Sequence, residues 1–180
     1  LDTTALKLKN NDNETNGINT QPSKVLDCTM GLASDSILLS YYGNKVTALE
    51  KNKIIHYIVS NGLKNYIASD NKILSAMRSI TTHNIDCLEY LKKFEDKSFD
   101  IIYFDPMFSH NIKGYNLSGI EPLTDYNFPT KVFLEEARRV AKNKIIVKAH
   151  FRDNIFEKYN FKRIIRKNTK FHYGFIDFND

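Results

Sequence analysis

Asp105-Pro106-Met107-Phe108 brings a carboxylate, a proline carbonyl and an aromatic ring together within four residues. Such a set suits a planar base that bears an exocyclic amine. The carboxylate and the carbonyl each accept one N–H, and the ring stacks on the base, a contact worth roughly 1–3 kcal/mol. The same carboxylate can instead cap the next turn while Phe108 fills core, and the tetrapeptide alone leaves both readings open. A second constellation lies upstream, where Asp27 and Asp35 flank the small-residue turn Cys28-Thr29-Met30-Gly31-Leu32-Ala33-Ser34. A dinucleotide turn presents glycines and bare backbone N–H groups to a pyrophosphate. Two carboxylates repel that ligand and attract one carrying an amine and a sulfonium, such as S-adenosylmethionine. Glu50 and Asp86 complete the acidic set. A carboxylate at the end of a second strand accepts from both ribose hydroxyls, at about 1.5–3 kcal/mol per bond to a charged acceptor; it can equally complement the dipole of a helix starting near Asn52. Asp86 stands where it can reach an adenine amino group, or serve as an ordinary N-cap, or do both.

The elements that must position these groups follow from periodicity. Phe99 to Phe104 is a short apolar run, suited to a strand buried on both faces, and Pro106 ends it because proline cannot donate to a ladder. The carboxyl edge of such a strand is where ligands bind in open α/β sheets. Val25-Leu26-Asp27 begins the first strand. The helix after the small-residue turn carries Ile37, Leu38, Tyr41 and Tyr42, with Ser34 as N-cap and Gly43 as its stop. Lys45 to Leu49 forms the second strand. Ile54, Ile55, Ile58 and Val59 give a helix face stopping at Gly62, and a helix from Ser69 or Asp70 turns Ile73, Leu74 and Met77 inward. Ile80 to His83 is a third strand, followed by a helix bearing Leu88, Tyr90, Leu91 and Phe94. Residues 109–128 form a connection long enough to be a lid or binding loop, with His110, Lys113, Tyr115, Asn116 and Tyr126 in it. Thr130 caps a helix through Val132, Phe133, Leu134, Ala137 and Val140. Lys144 to Val147 is the fifth strand. Lys148 at its end serves as a phosphate contact, as a partner of Asp105, or as a solvated surface group. Arg152 to Tyr159 is a short helix. Phe161 to Ile165 and Tyr173 to Phe178 then pair antiparallel, since no crossover helix fits between them.

The 180 residues make one domain of α/β class, with residues 1–24 a polar, Asn- and Thr-rich extension and residues 25–180 the folded body. No apolar stretch approaches the length of a membrane span. Cys28 and Cys87 lie far apart in sequence, fit no metal-ligand spacing and read as reduced cytoplasmic thiols. The net charge of +5 is uneven: from Arg138 to Lys170 twelve Lys/Arg face only Asp153 and Glu157, so the remainder of the chain is net acidic. That asymmetry suits a polyanion partner on one face, with a solvated lysine-rich surface as the plain alternative.

These features together resemble the class I S-adenosylmethionine-dependent methyltransferases, over about Val25 to Lys148. The turn Asp27-x-Thr29-x-Gly31-x-Ala33-x-Asp35 is similar to that group's first motif, with Ala33 for its last glycine; Glu50 falls on its acidic ribose motif and Asp86 on its adenine contact. Asp105-Pro106-Met107-Phe108 resembles the Asp/Asn-Pro-Pro-Tyr/Phe motif of enzymes that methylate exocyclic amines, with Met107 for the second proline. Within the class, Thr29-Met30-Gly31-Leu32 with Asp35, the 105–108 motif and Val147-Lys148 resemble the small-subunit ribosomal RNA guanine-N2 methyltransferases. That family is more basic after its Asp-Pro-Met motif than Ser109-His110-Asn111-Ile112-Lys113-Gly114 is. The resemblance implies a Rossmann-like, doubly wound, seven-stranded sheet, mostly parallel with an antiparallel C-terminal strand. It implies S-adenosylmethionine as cofactor, bound by Asp27, Thr29, Gly31, Asp35, Glu50 and Asp86. Catalysis then falls to Asp105, Pro106 and Phe108, and contacts to a ribosomal RNA substrate to Met107, His110, Lys113, Lys148 and Arg152. Alternatives are a DNA or small-molecule methyltransferase of the same fold, and a non-catalytic RNA-binding or assembly module.

Overall fold

The structure is a computed structural model that describes residues 21–67, 69–106 and 128–178. The expectations for residues 1–20, and for Met107, Phe108, His110, Lys113 and the rest of the 107–127 connection, fall outside these residues. The elements run β1 (Lys24–Asp27), α1 (Ser34–Tyr41), β2 (Lys45–Glu50), α2 (Lys53–Asn65), α3 (Asn71–Ser79), β3 (Thr81–Asn84), α4 (Cys87–Leu91) and β4 (Phe99–Phe104). They continue as α5 (Lys131–Val140), β5 (Ala141–His150), α6 (Ile155–Lys158), β6 (Lys162–Ile164) and β7 (Phe171–Asp177). The seven strands form one sheet in the order β3-β2-β1-β4-β5-β7-β6. All neighbours from β3 to β5 are parallel, and β7 alone runs antiparallel, to β5 and to β6. The doubly wound sheet with its antiparallel C-terminal strand is therefore the fold the chain adopts.

Successive residues of the central strands point to opposite faces, so each strand feeds two cores. Val25, Val46, Ile101 and Tyr103 pack with Leu39 of α1, Val59 and Leu63 of α2 and Met77 of α3. Leu26, Ile102, Phe104 and Ile145 pack on the other face with Leu91 of α4, Phe133, Leu134 and Ala137 of α5 and Phe156 of α6. Full burial of one such side chain contributes about 1.5–3 kcal/mol. Strand order reverses between β1 and β4, which opens a crevice beyond their carboxyl ends, where open α/β sheets take ligands.

Several boundaries differ from the sequence reading. Ser34 is the first residue of α1 and not its cap; Ala33 holds the cap position in the left-handed region at φ 63°. Gly62 does not stop α2, which runs on to Asn65 because Leu63, buried in the core, offsets the roughly 1 kcal/mol cost of an interior glycine. Its inward line is Ile55, Val59 and Leu63, at i, i+4 and i+8, which leaves Ile54 and Ile58 exposed. On α3, Ala76 and Met77 are buried and Ile73 is exposed. β5 extends beyond 144–147 at both ends, because it is paired from Ala141 beside β4 to His150 beside β7. Consequently Arg152 lies in the turn after β5, and α6 starts only at Ile155, whose N–H bonds to the Asp153 carboxylate. No helix among the described residues is long and apolar enough to cross a membrane.

Candidate functional site

Asp27 ends β1 almost wholly buried, at 1% exposure. Its Oδ1 accepts the Thr29 N–H at 3.0 Å and its Oδ2 accepts the Ser36 hydroxyl at 2.5 Å. Burial pushes its pKa up to about 6, against the downward pull of the Ser36 and Thr29 hydrogen bonds. The turn that follows needs two residues in the left-handed region, Gly31 at φ 48° and Ala33 at φ 63°. A Cβ added at Gly31 would meet only the Thr29 carbonyl, at 3.9 Å, so the glycine supplies conformation there and not close packing.

Glu50 closes this turn from the end of β2. Its carboxylate accepts the Gly31 N–H at 3.0 Å with one oxygen and the Asn52 N–H at 2.7 Å with the other. The Asn52 side chain in turn caps α2. Asp86 caps α4 through the N–H groups of Leu88 and Glu89, and its free oxygen lies 3.4 Å from the Lys51 ammonium. The Ile85 N–H and the Asn84 amide both bond the Glu50 carbonyl, which ties the ends of β3 and β2 together. Five backbone N–H groups between Cys28 and Ala33 are thus already bonded within the chain: to Tyr103 O, Asp27, Leu49 O, Glu50 and Met30 O. A diphosphate cradle needs such groups free. The acidic, N–H-poor mouth instead fits a cationic nucleoside whose ribose and amine donate.

Asp105, just past β4, faces this turn. Its N–H donates to the Thr29 hydroxyl at 2.7 Å. Its Oδ2 accepts from the Lys148 ammonium at 2.7 Å, and the same ammonium reaches Asp35 Oδ2 at 2.7 Å. The Tyr103 hydroxyl donates to that Asp35 oxygen at 2.8 Å. Oδ1 of Asp105 is buried and has no hydrogen-bond partner among the described residues. Burial raises the Asp105 pKa to about 7, Lys148 restrains the rise, and Asp35 and Asp27 add to it. For Lys148, burial opposes the charge, but Asp105 and Asp35 outweigh it and the ammonium stays fully protonated. Of the three roles open to Lys148, the structure shows the pairing with Asp105.

Asp27, Thr29, Gly31, Asp35, Glu50, Asp86, Asp105, Pro106 and Lys148 therefore all lie at the carboxyl edge of the sheet. Arg152 is exposed on the same edge, its guanidinium over the Phe151 ring at 5.1 Å. Sequence reasoning missed Ser36, which bonds Asp27, and Tyr103, which bonds Asp35. Tyr103 carries the lone hydroxyl in the apolar run Phe99–Phe104, and that was the signal available. The basic stretch Arg138–Lys170 is not one face. Arg138 and Lys142 lie toward the amino edge, where α5 enters β5, whereas Lys162 at the start of β6 is level with Ile146, well along β5. Arg139 is tied to Glu136, Asp96 and two carbonyls, and Lys144 to Asp177. Cys28 and Cys87, distant in sequence, are buried close enough for their thiols to interact, and burial pushes the Cys28 thiol up.

Comparisons with known proteins bear on the family and the fold. Residues 12–173 match the SAM_MT family model, whose members are described as SAM-dependent methyltransferases. The protein YpiP of Bacillus subtilis is 36% identical over 157 residues, covering 84% of this chain and 60% of that protein. Ribosomal RNA small subunit methyltransferase J of Marinobacter nauticus is 36% identical over 93 residues, or 51% of this chain and 33% of that protein. The protein of that name from Buchnera aphidicola is 32% identical over 130 residues, or 69% and 52%. The chain thus spans between a third and three fifths of these relatives. A SAM-dependent methyltransferase structure from Neisseria gonorrhoeae superposes with TM-score 0.60 at 20% identity, covering 88% of this chain and 67% of that one, a likeness of fold. With the family model matched along most of its length, the chain belongs to the SAM-dependent methyltransferases, whose methyl donor is S-adenosylmethionine.

Proposed function

We propose that this chain transfers a methyl group to an exocyclic amine of a nucleic-acid base, with guanine N2 of ribosomal RNA as the target. The observation that carries the reading is the buried Oδ1 of Asp105, without a partner among the described residues and next to Pro106 at the switch point of the sheet. The likeness to the Marinobacter and Buchnera ribosomal RNA methyltransferases supplies the ribosomal RNA part of it.

Bound S-adenosylmethionine supplies an electrophilic methyl on a sulfonium. In this proposal Glu50 accepts from the ribose, Asp86 from the adenine amine, and Asp27, Thr29, Gly31 and Asp35 form the acidic wall beside them. Asp105 Oδ1 and the Pro106 carbonyl accept the two N–H bonds of the target amine and draw its lone pair out of ring conjugation. Once it has taken the methyl from sulfur, the amine nitrogen would be acidic, and Asp105 Oδ1 would take its proton. Burial has raised that carboxyl to about 7, within reach of such a transfer near neutral pH. Lys148 holds Oδ2, which leaves Oδ1 to accept from the substrate amine. Phe108 stacks on the unstacked base, as chemistry on a base requires, and Met107, His110, Lys113 and Arg152 contact its surroundings. Most of the acceleration comes from orientation, because methyl transfer needs in-line geometry above all.

Asp105→Ala tests the assignment. Transfer of labelled methyl to unmodified small-subunit ribosomal RNA is expected to fall on the order of 100-fold or more, while calorimetry shows S-adenosylmethionine binding within about threefold of the parent. Wild-type rates in that variant sink the role of Asp105, and no transfer to RNA by the parent sinks the substrate.

A further inference from the structure

The twelve cations between Arg138 and Lys170 sort by sheet edge. β6 runs parallel to β5 and β7 runs back, so the β6–β7 turn at 165–170 lies on the carboxyl edge, beside the turn that follows β5. The Phe151 N–H bonds the Lys170 carbonyl at 3.0 Å, which fastens the two turns to each other. Together they bring Arg152, Arg166, Lys167 and Lys170 to one place, and none of the four pairs with a carboxylate among the described residues. Arg163, by contrast, is held inside by Glu157, His172 and the Phe151 carbonyl.

This patch is joined to Asp105 by a chain of contacts. Arg166 lies over the Tyr173 ring at 5.6 Å, Tyr173 stands opposite Lys148 in the β5–β7 ladder, and Lys148 holds Asp105. The Tyr173 hydroxyl is close enough to feel Asp35, Lys148, Arg166 and Asp105 in turn. Two strand spacings, about 10 Å, separate β4 from β7. Phe151, at 36% exposure beneath the Arg152 guanidinium, adds a ring on which a base can stack.

We propose that Phe151, Arg152, Arg166, Lys167 and Lys170 form the docking surface for the single-stranded phosphate backbone next to the target nucleotide, and that the amino-edge cations Arg138 and Lys142 take no part. The proposal rests on the nucleic-acid reading above. It gives the turn of a small terminal hairpin the task of presenting the strand to Asp105.

The test compares Arg152→Gln/Lys167→Gln/Lys170→Gln with Arg138→Gln/Lys142→Gln. Binding of an unmodified small-subunit ribosomal RNA transcript is followed across salt concentrations, and melting curves check that both variants fold. Each lost phosphate contact on a single strand lowers the slope of log affinity against log salt by about 0.7. The first variant is expected to lose about two units of slope and at least tenfold in affinity, and the second to match the parent. Equal losses in both variants, or an unchanged slope in the first, overturn the docking surface. A parent protein that binds no RNA overturns the nucleic-acid reading itself.

Discussion

Lys148 answers to two masters, since its ammonium lies 2.7 Å from both Asp35 and Asp105. Asp105 is faced by Lys148 from β5, Asp35 from α1, Asp27 from β1 and the Tyr103 ring from its own strand. Of these groups only the lysine favours its charged form. With the carboxylate as the working state, activity falls as pH drops through about 7. Lys148→Met removes the restraining charge, so the acid limb of the pH–rate profile is expected to move upward, and Lys148→Arg to restore it in part. A limb that stays put denies Lys148 that role. The sign for stability is the reverse. Asp27 and Asp105 have folded pKa values of about 6 and 7, above the ordinary 3.8. Each favours the fold fully below pH 3.8, and that contribution is lost as pH rises through 6 and 7. Melting temperatures of the parent are expected to decline from pH 5 to pH 8, and those of Asp105→Asn to decline less.

At the scale of elements, Gly174 shows what β7 must accommodate. A Cβ there would lie 2.7 Å from the Phe156 ring of α6 and 2.9 Å from Phe161 Cβ. Gly174→Ala is expected to cost about 1–3 kcal/mol by overpacking, measured by denaturant unfolding; a neutral result would mean that α6 shifts freely on the sheet. Most elements were legible because burial writes a plain pattern. Phe99–Phe104 is apolar but for Asp100, as suits a strand covered on both faces, and Thr130, Asp70 and Asp86 cap helices as their types predict. What misled was punctuation read too literally. Gly62 lies inside α2 because tertiary packing outweighs its propensity, and Ala33 takes a left-handed cap position that sequence assigns to glycine. The ends of β5 are set by the lengths of its two neighbours, which the strand's own residues do not encode.

For the molecule as a whole, the sheet order carries the chemistry. The acidic residues of the site were readable one at a time, since each ends a strand, lies in the turn after it or, for Asp35, opens the helix that follows. Their partners were not. Tyr103 reaches Asp35 across 68 residues, Lys148 reaches it across 113, and Cys28 meets Cys87 beneath the same turn. Such meetings depend on which strands are neighbours and in what register, which local pattern does not state. The division of the basic stretch between the two sheet edges has the same origin.

One small joint has a thermodynamic corollary. The Thr29 hydroxyl, on the loop proposed to hold the donor, bonds the backbone of Asp105, on the loop proposed to hold the acceptor. Two ligands flanking such a hinge pin are obliged to reciprocity: whatever factor the donor imposes on the affinity of the RNA, the RNA imposes on the donor. In the proposed reaction the demethylated donor lacks the sulfonium charge that the acidic mouth attracts, so its hold on the loop weakens, and whatever coupling it keeps with the RNA is again equal in both directions.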